Sequence, residues 1–325
     1  MRVSKQQIVV SGVFLLASLA SQPALAYELK AWGGDYVDQV TNTPSGADFI
    51  AAAAGDEHGV ALKANGTVVA WGQDASGQNV VPPTLGTCIA IGAGGDVSYA
   101  IEDDGPIVAW GHDGHDQVSD VPAGTYTAVD GGEFFAVALA TDGSIVAWGN
   151  DTYGQVTNVP AGTDFVQVVA RDTQAVALRS NGSVGSWGDV TGTSGQPGSG
   201  TYTAVSAGHD YCLALKDDGS IIHWGDDPWD YGLDEVPAGT DFIAISAGYV
   251  HGLALKSDGS VVGWGAGTDA TGHPHWGQAM PPAGNDYVAI SGGLYWSLSI
   301  TGSGVAWDYI FSDGFESGDL SSWSF

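Results

Sequence analysis

The stretch Asp241–Gly265, DFIAISAGYVHGLALKSDGSVVGWG, decides the fold. Its segment FIAIS alternates apolar and small residues as a β-strand does, and GLALK and VVGWG are two further short strand candidates. The Asp258-Gly259 pair between the last two supplies the positive φ angles that a two-residue hairpin turn requires. The stretch therefore predicts a three-stranded antiparallel sheet.

The same unit recurs along the chain, marked by a Trp that is followed by Gly seven times and by Asp308 once. These residues are Trp32, Trp71, Trp110, Trp148, Trp187, Trp224, Trp264 and Trp307, spaced by 39, 39, 38, 39, 37, 40 and 43 residues. A period of about 40 residues is typical of β-propellers. A Trp at the same place in every unit is expected to pack between neighbouring sheets as scaffold.

Seven hairpin units are predicted, which start near Phe49, Cys88, Tyr126, Phe165, Tyr202, Phe242 and Tyr287. One such sheet cannot bury both of its faces, but sheets that stack radially bury them against each other. The predicted fold is therefore all-β, a seven-bladed β-propeller with blades of about 39 residues, which spans residues 27–308.

A polar arm follows most Trp-Gly pairs and often contains Gly-Gln and then Pro, as in Gly154-Gln155 and Pro160. The Gln is expected to tie the arm down by hydrogen bonds. The piece 33–46 is such an arm without a hairpin before it, so the N-terminal segment should complete the last blade. Two segments compete for the third-strand slot there; we expect 304–308 to fill it and 27–33 to pair outside.

The first 26 residues are predicted to be a secretory signal peptide. They have a basic start, Arg2 and Lys5, then a short apolar stretch, and a small-residue cleavage site at Ala24-Leu25-Ala26. No later apolar run is long enough for a membrane helix, so we expect an exported protein without membrane insertion. The tail 309–325 breaks the repeat and is similar to C-terminal segments of proteins exported by Gram-negative bacteria; a flexible terminus is the alternative.

The charge is strongly negative, with 8 Lys and Arg against 37 Asp and Glu. Without the predicted signal peptide, which holds two of the basic residues, the net charge is 6 − 37 = −31. Such a surface repels phosphate backbones, which excludes nucleic acid as a partner. The two cysteines, Cys88 and Cys212, fall on distant blades and are expected to be unpaired, buried or half-buried thiols.

The strings HGLALKSDGSVVGWG and YGQ…VPAG resemble the regulator of chromosome condensation repeat family. The resemblance covers nearly all of the chain between the signal peptide and residue 308, and it implies a seven-bladed propeller. The chain looks most like a secreted bacterial branch of the family, which includes a propeller that inhibits β-lactamases by covering their active site. The family's founding activity, nucleotide exchange on a nuclear GTPase, is not expected of an exported acidic chain.

A functional surface is expected where the blades differ, at the turn between the first two strands of each blade. The resulting candidates on one face of the disc are Glu133, Phe134, Phe135, Arg171, Gln174, Tyr211, Tyr249, His251, Tyr295 and Trp296. Aromatic residues mixed with charges are typical of binding hot spots. The alternative is that these side chains fill gaps between blades; for His58 and His251 the resemblance implies that structural role.

The arms offer weaker candidates. Two clusters, one with His112, Asp113, His115 and Asp116 and one with His273 and His275, lack a full set of metal ligands at a familiar spacing. The segment 226–235 joins carboxylates to Trp229 and Tyr231, as a sugar platform, a weak calcium loop or a simple blade cap would. We therefore expect neither a metal nor another cofactor.

No catalytic motif is found, neither a nucleophile elbow, a zincin motif nor a phosphate loop. The leading hypothesis is an exported, monomeric, non-catalytic propeller that binds an extracellular protein, in the manner of an inhibitor. One alternative is a glycan-binding propeller that uses Trp229, Trp276 or Trp296 for stacking. Another is a polysaccharide-directed enzyme with two facing carboxylates.

Overall fold

A computed structural model describes residues 9–10, 13–14, 26–198, 200–268 and 274–303. The described chain is all-β apart from one four-residue helix. It contains seven three-stranded antiparallel sheets, one for each predicted hairpin unit. The predicted starts of all seven units coincide with the first residues of strands, so the predicted blade boundaries are confirmed.

The first three blades are formed by β4 (Phe49–Ala54), β5 (His58–Lys63) and β6 (Val68–Gly72); β7 (Cys88–Gly94), β8 (Val97–Glu102) and β9 (Ile107–Gly111); and β10 (Tyr126–Gly131), β11 (Phe135–Ala140) and β12 (Ile145–Gly149). The next three are β13 (Phe165–Arg171), β14 (Gln174–Arg179) and β15 (Val184–Gly188); β16 (Tyr202–Ala207), β17 (Tyr211–Lys216) and β18 (Ile221–Gly225); and β19 (Phe242–Ala247), β20 (His251–Lys256) and β21 (Val261–Gly265). The helix α1 (Val190–Thr193) lies in the arm after β15.

The seventh blade combines strands from both ends of the described chain: β22 (Tyr287–Gly292), β23 (Trp296–Ser303) and β3 (Ala26–Gly33). The prediction that 27–33 pairs outside the third-strand slot is therefore wrong. Trp32 pairs with Ser297 just as Trp110 pairs with Ser98 in the second blade. The slot requires a positive φ directly after its Trp, and Gly33 supplies it at +104°. Trp307, which Asp308 follows, lies outside the described residues, as do the whole segment 304–308 and the tail 309–325.

In five arms the Gln ties the arm down by a hydrogen bond, as expected. Its side-chain oxygen accepts a hydrogen bond from the backbone N–H two residues earlier, as in Tyr153 N to Gln155 Oε1 at 2.7 Å. In four arms its backbone carbonyl also accepts the indole N–H of the next blade's Trp, which joins neighbouring blades. These bonds join Trp71 to Gln39, Trp148 to Gln117, Trp187 to Gln155 and Trp32 to Gln278, at 2.8–2.9 Å.

The core is divided into seven apolar clusters, each between two successive blades. One of them joins the seventh blade to the first, with Trp296 and Ile300 packed against Phe49 and Trp71. The first strands of successive blades contact one another, which places them nearest the axis. This arrangement is the radial stacking that the repeat period predicts.

Both cysteines are buried and unpaired, Cys88 in the second blade and Cys212 in the fifth, as predicted. Within the predicted signal peptide the structure describes two short paired strands, β1 (Val9–Val10) and β2 (Val13–Phe14), and Ala26, the first residue of β3. None of the described residues belongs to a helix that is long and apolar enough to cross a membrane.

Candidate functional site

The turns between first and second strands lie at the same edge of each blade as the arms. In the third blade Phe135, the first residue of β11, pairs with Gly149, the last residue of β12. The turn before Phe135 and the arm after Gly149 therefore leave the sheet together. Every described blade repeats this register, so seven turns and their arms form one surface, which we call the turn face.

Adjacent turns are joined by backbone hydrogen bonds around the axis. The N–H of Asp56 donates to Gly95 O, that of Glu133 to Asp172 O, and that of Leu294 to Asp56 O, at 2.8–3.2 Å. His209 and Tyr249 continue the pattern through donations to Tyr249 O and Gly293 O at 3.2 and 3.0 Å. The turn tips are thus held in fixed positions around a central mouth.

One position of each turn is fully buried, which corrects the prediction for half of the candidates. The first residue of every second strand has 1% exposure or less; these residues are His58, Val97, Phe135, Gln174, Tyr211, His251 and Trp296. Phe135, Gln174, Tyr211, His251 and Trp296 were all expected on the turn face. Their side chains instead extend from the sheet toward the next blade. They fill the gap between the two blades, which would otherwise be a cavity.

These buried side chains bond the next blade. Gln174 Nε2 donates to the carbonyls of Gly208 and Tyr211 at 2.9 and 3.0 Å. The Tyr211 hydroxyl donates in turn to the carbonyls of Gly248 and His251. The Trp296 indole N–H donates to Asp56 O at 2.8 Å, across the junction of the seventh and first blades. The residue type varies between blades, but the task of joining blades is the same.

The two buried histidines are uncharged and hydrogen-bond the next blade. His58 Nε2 lies 3.0 Å from Ser98 Oγ, and His251 Nε2 lies 2.9 Å from Ser297 Oγ. Burial lowers the pKa of His58 to about 4 and that of His251 to about 3. Both therefore stay uncharged at neutral pH, in agreement with the structural role that the resemblance implies.

A glycine three residues earlier marks several of these buried positions. A Cβ on Gly132 would lie 2.2 Å from the ring of Phe135, so the ring packs directly on the glycine backbone. The same relation joins Gly208 to Tyr211 and Gly293 to Trp296. Gly131 and Gly292 stand three residues before Phe134 and Tyr295 in the same way, so this Gly-x-x-aromatic pattern does not by itself separate buried from exposed turn residues.

Arg171 crosses the axis instead of reaching out to solvent. It stands at the end of β13 and is 5% exposed. The corresponding residue of every other blade is Gly, so this side chain has room to extend across the mouth. Its Nη1 lies 3.4 Å from the carbonyls of Ala54 and Gly292, and Nη2 lies 3.4 Å from Asp56 Oδ1. Arg171 thereby links the fourth blade to the first and seventh.

An arc of aromatic side chains covers the turn face of the fifth to seventh blades. His209 lies 4.1 Å from Tyr249 and 5.5 Å from Trp229, and Tyr249 lies 6.1 Å from Tyr295, between ring centroids. We define the aromatic arc by His209, Trp229, Tyr231, Tyr249, His275, Tyr295, Tyr36 and Trp276. Trp229, Tyr36 and Trp276 are 50%, 47% and 36% exposed, so they present large apolar area to solvent.

A crescent of carboxylates lies beside the arc on the first four blades. Its members, the carboxylate crescent, are Asp56, Glu57, Asp96, Glu133 and Asp172. Burial, and then repulsion by Asp56 and Asp96, raises the pKa of Glu57. Burial and then Asp172, Asp56 and Asp96 likewise raise the pKa of Glu133. The groups are thus close enough to repel one another, and each is half-buried.

His209 stands where the aromatic arc meets the acidic side of the mouth. Its Nδ1 lies 2.7 Å from Asp210 Oδ2 and its Nε2 lies 3.8 Å from Asp172 Oδ2. Desolvation opposes its charge, but the hydrogen bond to Asp210 and the charges of Asp172 and Asp210 outweigh it and raise its pKa. His209 is therefore a titratable link between the two halves of the face.

Glu133, Phe134, Tyr249 and Tyr295 are the sequence candidates that the structure keeps half-buried at the turn tips. Phe134 contacts the arm of the second blade, with its ring centroid 4.9 Å from that of His115 and 6.0 Å from that of His112. The described residues hold no group of three His, Cys, Asp or Glu side chains that would bind a metal ion. In the segment 226–235, Asp227 instead caps its own turn through bonds from the N–H groups of Tyr231 and Leu233.

The sequence reasoning missed Tyr36 and the full extent of the arc. An alignment of the arms on their Gln residues offered a signal, because the residue two positions before it projects outward in several blades. Tyr153 and Trp276 occupy that position, and Tyr231 stands equally far before Leu233, whose carbonyl replaces that of Gln in accepting from Trp264. Tyr36 lies one residue earlier still, and no sequence signal marks it.

Comparisons with known proteins agree with the fold. The model of the regulator of chromosome condensation (RCC1) repeat matches residues 49–78, 126–155 and 242–269. No curated protein matches the chain. Among solved structures, Prp20p from Saccharomyces cerevisiae has a TM-score of 0.68 at 15% identity, over 86% of this chain and 92% of that one.

Two further structures are similar. Yeast RCC1 (Prp20) bound to Kap60 has a TM-score of 0.69 at 16% identity, over 91% of this chain and 93% of that one. The ectodomain of the Physcomitrella patens receptor kinase CR4 has a TM-score of 0.61 at 21% identity, over 72% and 65%. At such identities the likeness concerns the fold alone. Three stretches of the chain thus match the regulator of chromosome condensation repeat, and the solved structures share its propeller fold.

Proposed function

We propose that the chain is an exported, non-catalytic propeller that binds a protein partner through its turn face. The observation that carries the proposal is the aromatic arc, whose exposed rings lie on three consecutive blades. Rigid aromatic side chains beside charges are the composition of interface hot spots. The backbone bonds between turns hold the turn residues of the arc, among them His209 and Tyr249, in place before a partner arrives, which reduces the ordering cost of binding.

The neighbours support a protein as the partner class. Prp20p is described with binding properties toward Gsp1p and histones, and yeast RCC1 (Prp20) with bound Kap60. Those partners are not carried over, since the identities are 15% and 16%. The signal-peptide pattern of residues 1–26 and the acidic composition favour an extracellular or periplasmic partner.

The residues at the mouth favour binding over catalysis. The carboxylate crescent occupies turn tips, and the axial cavity behind it is lined mainly by small residues together with Asp130 and Arg171. Asp56 of the crescent is already paired with Arg171, which lines that cavity. A glycosidase would need two facing carboxylates across a cleft that admits a sugar, whereas the crescent members that the structure describes stand on turns that are tied to one another by backbone bonds.

Site-specific photocrosslinking tests the proposal. A photoreactive phenylalanine analogue at Phe134 or Trp229 is expected to trap one protein in the native host, and the analogue at Ile89, exposed outside the turn face, is not. The trapped protein, once purified, should bind with a Kd that Trp229→Ala raises at least tenfold and Ile89→Ala leaves unchanged. Equal trapping at Ile89 would contradict the proposal. If the trapped protein is an enzyme such as a β-lactamase, inhibition by the propeller tests the inhibitor-like form.

A glycan-binding function is the second candidate, and two exposed stacking pairs favour it. Trp229 stacks beside Tyr231 with a 30° angle between the rings, and Trp276 lies edge-on to Tyr36. The third proposed platform, Trp296, is fully buried and drops out. A glycan array is expected to show hits that Trp229→Ala and Trp276→Ala abolish, and an array without hits would remove this candidate.

A further inference from the structure

The inner edge of the aromatic arc faces the carboxylates directly. Leu294, beside Tyr295, donates its backbone N–H to Asp56 O at 3.2 Å. Burial, and then Asp172, Tyr295, Asp56 and Asp210, raises the pKa of Tyr249. A group placed over Tyr249 or Tyr295 would therefore touch aromatic rings on one side and meet carboxylates on the other.

The charge at this mouth is unbalanced. The carboxylate crescent and Asp210 provide six negative groups, and Arg171 provides one positive group, so the net charge with neutral His209 is −6 + 1 = −5. The rest of the charged chain does not offset it, because the molecule as a whole is strongly acidic. Mutual repulsion among half-buried carboxylates stores unfavourable energy that an arriving cation would relieve.

The described cationic side chains of this protein do not neutralise all the carboxylates of the crescent. Arg171 is 5% exposed and held by Asp56, Ala54 and Gly292, so it neutralises one carboxylate from below. His209 is tied to Asp210 and adjoins Asp172. Glu57, Asp96 and Glu133 have no basic partner within 4.0 Å among the described residues.

We propose that the partner of the turn face inserts an arginine side chain at the boundary between the aromatic arc and the carboxylate crescent. This inference rests on the proposed function and names the chemistry of the bound segment. The guanidinium plane would lie on Tyr249 and Tyr295, and its N–H groups would donate to Asp56, Glu57 and Asp172.

Arginine fits this boundary better than lysine does. A guanidinium is planar and weakly hydrated, stacks on aromatic faces, and offers a fork of donors that matches carboxylates. The ammonium of lysine is a compact and strongly hydrated point charge, which loses more hydration beside rings. A sugar would use the outer rings, Trp229 and Trp276, but it would gain nothing from the net negative charge.

Three short peptides that differ at one residue isolate this chemistry: acetyl-Gly-Gly-X-Gly-Gly-amide, with X as arginine, citrulline or lysine. Citrulline keeps the shape of arginine and lacks its charge. The readout is the fluorine resonance of Trp229 in protein labelled with 5-fluorotryptophan, assigned through Trp229→Phe. The arginine peptide should shift this resonance with a Kd on the order of 1–10 mM, as one anchoring side chain provides. Lysine should bind at least threefold more weakly and citrulline at least tenfold more weakly.

Matched charge variants locate the interaction. Glu57→Gln combined with Glu133→Gln removes two charges from the turn face and should weaken arginine binding at least fivefold. Asp103→Asn combined with Asp104→Asn removes two exposed charges from a hairpin turn at the opposite edge and should change it less than twofold. Equal weakening by both pairs would overturn the proposal, since it would show only general attraction to an acidic protein.

Two other outcomes would also overturn it: citrulline binding as tightly as arginine, or a neutral tetrasaccharide shifting Trp229 when the arginine peptide does not. A further experiment, on the crosslinked partner, distinguishes failure of this inference from failure of the proposed function. If a crosslinked partner binds through Trp229 and yet tolerates replacement of every arginine in its contact segment, the protein-binding function stands and the arginine inference fails.

Discussion

Neighbouring residues of the same turn have opposite roles in this propeller. Phe134 and Tyr295 stand at turn tips and are half-buried, whereas Phe135 and Trp296, one residue later, are at most 1% exposed. The later residue begins a strand whose side chain fills the gap between two blades. The earlier residue lies where the chain reverses, so part of its side chain faces solvent and no neighbouring blade encloses it completely. Variation at the buried position therefore reflects repacking between blades, whereas the proposed function assigns variation at the tip to recognition.

The largest difference in stability is expected between the variants Trp296→Ala and Tyr295→Ala. Trp296 is fully buried between the seventh and first blades, and its indole N–H bonds Asp56 O. Its truncation should lower the free energy of unfolding by about 3–5 kcal/mol. Tyr295→Ala should cost about 1 kcal/mol or less, because it leaves no cavity. Urea denaturation of both variants measures the difference, and equal losses would mean that the buried position is no fastener.

His58 should make stability depend on pH in a defined direction. The unfolded chain binds a proton near pH 6.5, whereas the folded state, with a pKa of about 4, does not. The contribution of His58 is therefore full above pH 6.5 and is lost as the pH falls toward 4, by about 3 kcal/mol in total. His58→Gln, which places there the residue that Gln174 provides in the fourth blade, should remove this loss.

The measurement for His58 is the free energy of unfolding of wild type and His58→Gln between pH 7 and 4. The raised pKa values of Glu57 and Glu133 act in the opposite direction, since a folded state that binds protons more readily gains stability as the pH falls. The difference between the two proteins cancels this effect. His115→Gln, at an exposed arm residue, serves as the control, and a pH slope unchanged in His58→Gln would contradict the assignment.

Sequence reasoning predicted the fold well because its signals are local and repeated. The Asp-Gly turns and the Trp-Gly period fix strand starts to the residue, and the interblade Gln bonds follow from the same repeats. The last blade was the exception, since two segments with a Trp compete there. The choice depends on the backbone angle after the Trp, which Gly33 adopts at little cost and which a residue such as Asp308 adopts less readily.

The candidate site was harder to predict because strand alternation fails at a turn. Phe134 and Phe135 are identical in type and adjacent, so composition alone cannot say which one is buried. The direction of Arg171 depends on the opposite blades, where Ala54 and Gly292 leave room on the axis. The aromatic arc unites residues from three blades and their arms, which no single repeat reveals.

The same contrast between a buried and a tip residue can be tested by removing one hydroxyl group, from Tyr211 or from Tyr249. The hydroxyl of the buried Tyr211 donates to the carbonyls of Gly248 and His251 in the next blade, whereas Tyr249 is half-buried at a turn tip. Tyr211→Phe should lower the free energy of unfolding by about 1–3 kcal/mol, because it leaves buried carbonyls with one partner fewer. Tyr249→Phe should change it by less than about 0.5 kcal/mol. Chemical denaturation distinguishes the two, and a harmless Tyr211→Phe would show that packing alone joins these blades.

Phe134→Ala should have the smallest effect on stability and is the most direct test of the tip as a recognition position. The half-buried Phe134 ring packs against His112 and His115 of an arm at the surface, so its loss should change the free energy of unfolding by about 0.5 kcal/mol or less. Phe135→Ala, one residue later, should cost about 3–5 kcal/mol. A crosslinked partner should lose affinity with Phe134→Ala while the melting curve of the propeller stays in place. If Phe134→Ala destabilises the protein as much as Phe135→Ala does, the tips share the work of joining blades, and variation at the turn face no longer indicates a binding surface.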